Sequence, residues 1–192
     1  DRIRFTEALD DLSECDLVAE AAVEDEETKT AIFAALGKVV RPDALLTSNT
    51  SSIPIMKLAA VTPGPDRVVG MHFFNPATVL PLVEVIPCEL TSEDTVARVR
   101  EFAHDRLGKT IILAKDRAGF VVNALLIPYL LAAIRMVDAG LACAQDIDTA
   151  MVAGCAHPMG PLALTDLIGL DTTAAVAVSM YEETKEPLYA PP

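Results

Sequence analysis

Short apolar runs alternate with helix-period stretches through the first part of the chain. Residues 16–21, 44–48, 67–74, 82–86 and 110–114 each have the length and composition of a buried strand. Between the first two, Ile32, Phe33, Leu36, Val39 and Val40 fall on one helical face. That helix opens on Glu24-Asp25-Glu26-Glu27, acidic residues suited to the positive end of a helix, and Pro42 stops it. A short helix over 55–60 leads into the turn Pro63-Gly64-Pro65. Thr91 and Asp94 have capping-box spacing and predict a helix with Val96, Val99 and Phe102 inward, closed by Gly108. This rhythm predicts an α/β unit with a largely parallel sheet and helices on its faces. After Lys115 the strands stop. A helix is expected over 118–139 with Gly140 as its stop, and a second over 146–152. A break at 155–161, two further helical segments and a loose tail over 186–192 complete the pattern. The expected domains are therefore 1–116 and an all-helical 117–192.

Composition narrows the functional classes. The 192 residues are 52% hydrophobic, enough for a sizeable core, and carry a net charge of -13. So acidic a surface, with no basic patch, repels nucleic acid and anionic membranes. The one stretch to weigh as a membrane span, 118–134, is short, contains Asn123 and Pro128, and runs straight into Arg135 and Asp138. A core helix is the expectation. Cys15, Cys88, Cys143 and Cys155 form no CxxC pair and no zinc-ligand spacing, so free and mostly buried thiols in a reducing, cytoplasmic compartment are expected, with no metal. The start, Asp1-Arg2-Ile3-Arg4, does not have the layout of a secretion signal.

Four residues are candidates for chemistry. His72 ends an apolar strand, and ligand sites of open parallel sheets lie beyond the carboxyl ends of strands. An imidazole there is either a proton-transfer base or a hydrogen-bonded core histidine. Glu84 interrupts the apolar run Leu82-Val83-Glu84-Val85-Ile86, where a carboxylate is costly unless paired. It is either the partner that orients His72 or an exposed residue of an edge strand. Ser51, in Ser48-Asn49-Thr50-Ser51-Ser52, offers a hydroxyl to a substrate oxygen or simply serves the turn. Asn123, in an apolar helix, binds substrate or bonds a neighbouring helix.

Taken together, the landmarks resemble those of the L-3-hydroxyacyl-CoA dehydrogenase family, in that family's order and over nearly the whole chain. They are Ser-Asn-Thr-Ser-Ser (48–52), His-Phe-Phe-Asn-Pro (72–76), Leu-Val-Glu-Val (82–85) and Gly-Phe-Val-Val-Asn (119–123). Asp-Ile-Asp-Thr-Ala-Met (146–151), Pro-Met-Gly-Pro (158–161) and Gly-Leu-Asp (169–171) follow. The resemblance implies a partial Rossmann-type sheet, NAD as cofactor, a 3-hydroxyacyl-CoA substrate and a homodimer built on the helical domain. It implies His72 as base, Glu84 as its orienting partner, and Ser51 and Asn123 as hydrogen-bonding groups at the reacting oxygen. It places Glu24 and Lys29 beside the cofactor ribose and diphosphate, Asn49 and Asn75 near the nicotinamide, Ala21 at the cofactor through its backbone, and the 158–161 loop in the active-site wall. The family's opening G-x-G-x-x-G turn does not occur in these residues, nor does its Gly-rich closing segment. The expectation is a member recorded without both ends, with weak cofactor affinity by itself. Two alternatives are a dehydrogenase segment of a multifunctional β-oxidation protein and a catalytically silent dimerisation module.

Overall fold

The structure, a computed structural model, describes residues 3–192 and divides into two compact units, the first ending at Phe120 and the second covering Val121–Pro192. The first unit is a five-stranded sheet whose order follows the chain: β1 (Leu17–Glu20), β2 (Leu45–Ser48), β3 (Val68–Phe73), β4 (Leu82–Ile86) and β5 (Thr110–Leu113). The pairings are parallel except β3 with β4. The connection between those two strands, residues 74–81, holds no helix and is too short for a parallel crossover, so β4 must run back against β3.

Both faces of the sheet are covered, which is why its strands read as continuous apolar runs. Leu46, Val68 and Ile86 pack with Phe33 and Leu36 of α1 (Glu26–Val39) and Ile55 and Leu58 of α2 (Ile55–Ala60). Their strand neighbours Leu45, Val69 and Val85 point the other way, onto Val99 of α3 (Glu93–Glu101). Asp25 caps α1, accepting from the Thr28 amide at 2.8 Å. The cap of α3 is Ser92, which accepts from the Thr95 amide at 3.1 Å, rather than Thr91. The Thr91 hydroxyl is already committed to the Val68 carbonyl at 2.7 Å, tying that loop to β3.

The second unit contains α4 (Val122–Asp138), α5 (Ala144–Cys155), α6 (Pro161–Ile168) and α7 (Leu170–Thr184). Helix α4 starts later than its apolar pattern, because Gly119 (φ 80°) and Phe120 (φ 46°) hold left-handed backbone just before it. It buries Ile127, Leu130, Leu131 and Ala133 and ends at Gly140 (φ 66°), where the amides of Gly140 and Leu141 bond the carbonyls of Val137 and Met136. Helix α5 is longer than the expected 146–152 and stops at Ala156 in left-handed backbone. The tail is not loose: the Tyr189 hydroxyl donates to the Ala124 carbonyl at 3.4 Å and Arg135 donates to the Ala190 carbonyl. Pro128, four residues after Ala124, has no N–H for that carbonyl, so the tail supplies the donor that the helix lacks.

All four cysteines are unpaired, but Cys143 and Cys155 are exposed and only Cys88 is buried. Helix α5 places both outer thiols at its ends, away from any core. No single described helix is long and apolar enough to cross a membrane, although the bent pair α6–α7 reaches that length and composition together. Among the described residues no cluster of His, Cys, Asp and Glu could hold a metal ion.

Candidate active site

The carboxyl ends of β1, β2 and β3 lie side by side at one edge of the sheet. They deliver residues 20–24, 48–52 and 72–75 to the same edge. The antiparallel β3–β4 register sets His72 directly opposite Glu84. Directly opposed residues share a face with their Cβ atoms close, and the His72 Nδ1 lies 2.8 Å from Glu84 Oε2. Glu84 is fully buried and His72 is 6% exposed. An ionised carboxylate only accepts, so the neutral imidazole carries its proton on Nδ1 and its lone pair on Nε2. Phe74 and Phe120 wall the ring, with centroids at 4.7 Å and 5.5 Å. Phe120 reaches it from the left-handed backbone that precedes α4.

Ser51 lies in the loop after β2, half-buried. That loop is wrapped around one oxygen of Glu24. Glu24 Oε1 accepts from the Thr50 hydroxyl (2.6 Å), the Ser51 amide (2.9 Å), and the Ser52 amide and hydroxyl (3.1 and 3.0 Å). Partial burial pushes the Glu24 carboxyl up, but the Thr50 and Ser51 donors and the Lys29 ammonium outweigh it and hold it below its usual range. Asn49 accepts from the Phe73 amide at 2.8 Å, which links the β2 loop to the residue after His72. Asn75 is exposed in the turn after β3, and Ala21 and Ala22 are exposed at the end of β1. Lys29 differs from an open phosphate ligand: it is 1% exposed, with its ammonium 2.6 Å from Glu20 Oε1 and 3.4 Å from Glu24 Oε2. Asn123 is half-buried in the first turn of α4, in the second unit.

The small exposed pair Ala21–Ala22 leaves backbone at the end of β1 uncovered by any large side chain. With Glu24, Asn49 and Asn75 around the same edge, the residues present fit the ribose–nicotinamide half of a dinucleotide. Three residues not singled out by the sequence stand out in the structure. Glu20 is 5% exposed and paired to Lys29. Asp116 receives the Ile55 and Met56 amides at 2.6 and 2.8 Å, capping α2 just beyond the Ser51 loop. Phe120 packs on His72. Glu20 carries the same signal as Glu84, a carboxylate within an apolar strand, whereas the left-handed backbone of a phenylalanine leaves no trace in sequence.

Comparison with known proteins identifies the family of both units. Residues 1–117 match the model for the NAD-binding domain of 3-hydroxyacyl-CoA dehydrogenase, and residues 119–192 match the model for that enzyme's C-terminal domain. A 3-hydroxybutyryl-CoA dehydrogenase of Mycobacterium tuberculosis is 60% identical over 191 residues, which are 99% of this chain and 67% of the relative. The human mitochondrial hydroxyacyl-coenzyme A dehydrogenase is 43% identical over 97% of this chain and 59% of its own length. The crystal structure of M. tuberculosis FadB2 superposes with a TM-score of 0.97 at 60% identity, covering 98% of this chain and 66% of that one. The chain thus spans about two thirds of the length of these bacterial relatives.

Proposed function

The chain belongs to the 3-hydroxyacyl-CoA dehydrogenase family, whose cofactor is NAD, and on that premise we propose that it oxidises the C3 hydroxyl of a 3-hydroxyacyl-CoA to the 3-oxo product, with His72 as the base. The chemistry NAD supplies is acceptance of the hydride released from C3. His72 takes the hydroxyl proton on Nε2, the nitrogen that Glu84 leaves unprotonated. Glu84 fixes the ring's orientation and balances the imidazolium that forms. Ser51 and Asn123 hydrogen-bond the reacting oxygen. Ala21 through its backbone, together with Glu24, Asn49 and Asn75, holds the cofactor's ribose and nicotinamide, and Lys29 supports Glu24 from beneath. The sheet unit is the cofactor-binding domain, with its boundary near residue 116, and the helical unit is the substrate and dimerisation domain of a homodimer. Four unpaired thiols suit the reducing cytoplasm.

The observation that carries this reading is the buried 2.8 Å contact between His72 and Glu84 at the carboxyl edge of the sheet. Relatives named 3-hydroxybutyryl-CoA dehydrogenase favour a four-carbon acyl group. The test is NADH formation by the intact protein on a series of 3-hydroxyacyl-CoA thioesters of increasing length. A rate highest at the shortest acyl groups is expected. Absence of NADH formation with every thioester in the series would sink the proposal.

A further inference from the structure

Beneath the 49–52 loop the first unit buries a second charged cluster, and its root is Glu20. We propose that Glu20 is a positioning residue for the dehydrogenase reaction, holding Ser51 in register with His72; the inference rests on the function proposed above and adds a residue to it.

The two carboxylate oxygens of Glu20 feed two arms. Oε2 accepts from the Ser48 hydroxyl at 2.6 Å, and the Ser48 oxygen in turn accepts from the Thr50 amide at 3.2 Å. Oε1 accepts from Lys29 Nζ at 2.6 Å, and that ammonium lies 3.4 Å from Glu24 Oε2. The other Glu24 oxygen gathers the Thr50 hydroxyl, the Ser51 amide and the Ser52 amide. Both arms therefore meet at Thr50, and the second also holds Ser51 and Ser52. The backbone of Glu20 adds a third tie, since its carbonyl accepts from the Asn49 amide at 2.9 Å. Asn49 then holds the amide of Phe73, the residue after His72.

Glu20, Lys29 and Ser48 are each at most 5% exposed. Burying a carboxylate and an ammonium is costly, and apolar side chains would fill this space more readily if packing were their only role. What the charged pair adds is direction: each bond has a fixed donor and acceptor, so the loop has one geometry rather than several. Small misplacements of a group beside reacting atoms are expensive in rate. Glu20 itself lies under the loop and acts through Ser51, not on substrate.

The experiment uses Glu20→Gln/Lys29→Met in the intact protein, which removes both charges together and leaves neither unpaired. Amide hydrogen exchange at residues 50–52 should accelerate ~10-fold or more, while β3 amides keep wild-type protection. The kcat for 3-hydroxybutyryl-CoA should fall ~10–100-fold, and KM for NAD should rise with it, because Glu24 loses the Lys29 ammonium 3.4 Å away. In that background Ser51→Ala should cost no more than a further factor of about 2, far less than in wild type, because the hydroxyl is already out of place. Ser48→Ala, which leaves no charge behind, should show a smaller change of the same kind and keeps the test open if the double variant fails to fold. Unchanged exchange at 50–52, or a folded double variant with wild-type kcat, overturns the inference. A wild-type protein inert on every 3-hydroxyacyl-CoA overturns the proposed function itself, and with it any part of Glu20 in that reaction. An active wild type with an unaltered loop removes Glu20 alone.

Discussion

His72 and Glu84 meet because of a register. On adjacent antiparallel strands, opposed residues share a face, and this pair is both opposed and buried. His72→Gln removes the group that would take the proton while leaving a similar volume, so kcat should fall ~10²–10⁴-fold with the thermal transition little moved. Steady-state kinetics on the folded variant check it, and unchanged turnover would remove His72 from the base role. Glu84→Gln keeps the shape but not the charge that balances the imidazolium, and should lower kcat by ~10-fold or more. Glu24 makes a prediction about stability. Its carboxyl is held below the usual 4.5 in the folded protein. A depressed carboxyl contributes stability that is fully present above its unfolded value and lost as pH falls through the folded one. Lowering pH from about 5 to about 3 should therefore lower the wild-type Tm more steeply than that of Glu24→Gln. Equal slopes in a Tm series over that range would show that the Thr50–Ser52 donors do not favour its charged form. At this scale the sequence was legible wherever a charge broke an apolar run. Glu84 announced itself in that way. Glu20 gave the same sign, but its partners are 9 and 28 residues distant, so only the fold reveals that it is paired.

At the scale of elements, helix ends decide where the second unit turns. Asp148 of α5 accepts from the Leu162 and Ala163 amides at 2.8 and 2.9 Å, satisfying the start of α6 from a neighbouring helix. Gly160 sits directly against that carboxylate, and a Cβ there would land on the Asp148 side chain. The landmarks Asp-Ile-Asp and Pro-Met-Gly-Pro are thus two halves of one helix cap. Asp148→Ala should cost about 1–2 kcal/mol for the lost cap, and Gly160→Ala a similar amount for overpacking. Because the two positions touch, the double variant should cost clearly less than the sum of the singles in urea denaturation. Strict additivity would mean that Gly160 matters for another reason. Strands and most helices could be read from periodicity because each buries a defined face. Helix starts were less legible. The apolar pattern runs unbroken from Ala118 into α4, yet Gly119 and Phe120 turn left-handed and delay the helix to Val122. The cap of α3 fell one residue from the spacing that suggested it, because Thr91 was drawn to the Val68 carbonyl. In both places a tertiary contact or a turn geometry outweighed local preference.

For the molecule as a whole, both units leave large apolar side chains in solvent, Phe5 and Val79 of the first unit among them. The sheet unit surrounds its strands with helices on both faces and keeps its site residues at one edge. The helical unit leaves large apolar side chains in solvent, among them Leu125, Leu141 and Leu167, each at least 70% exposed, and Leu170 at 61%. Scattered single residues of this kind are ordinary, but several on one small unit suit association with another copy, which buries such residues at the centre of its interface. These residues support the proposed homodimer through the helical unit. The net charge of -13 opposes association at long range, so apolar contact has to dominate, and added salt should tighten the dimer rather than loosen it. Leu167→Glu inserts a charge into that surface without touching His72, Glu84 or the Ser51 loop. Light scattering on the intact protein should give twice the chain mass for wild type. Leu167→Glu should give a single-chain mass at micromolar concentration, with unaltered secondary structure by circular dichroism. A wild type at single-chain mass would remove the dimer, whereas a variant that stays at twice the mass would place the interface on another face. If salt weakens the wild-type dimer, ion pairs rather than leucines hold it, and the exposed apolar residues need a different explanation.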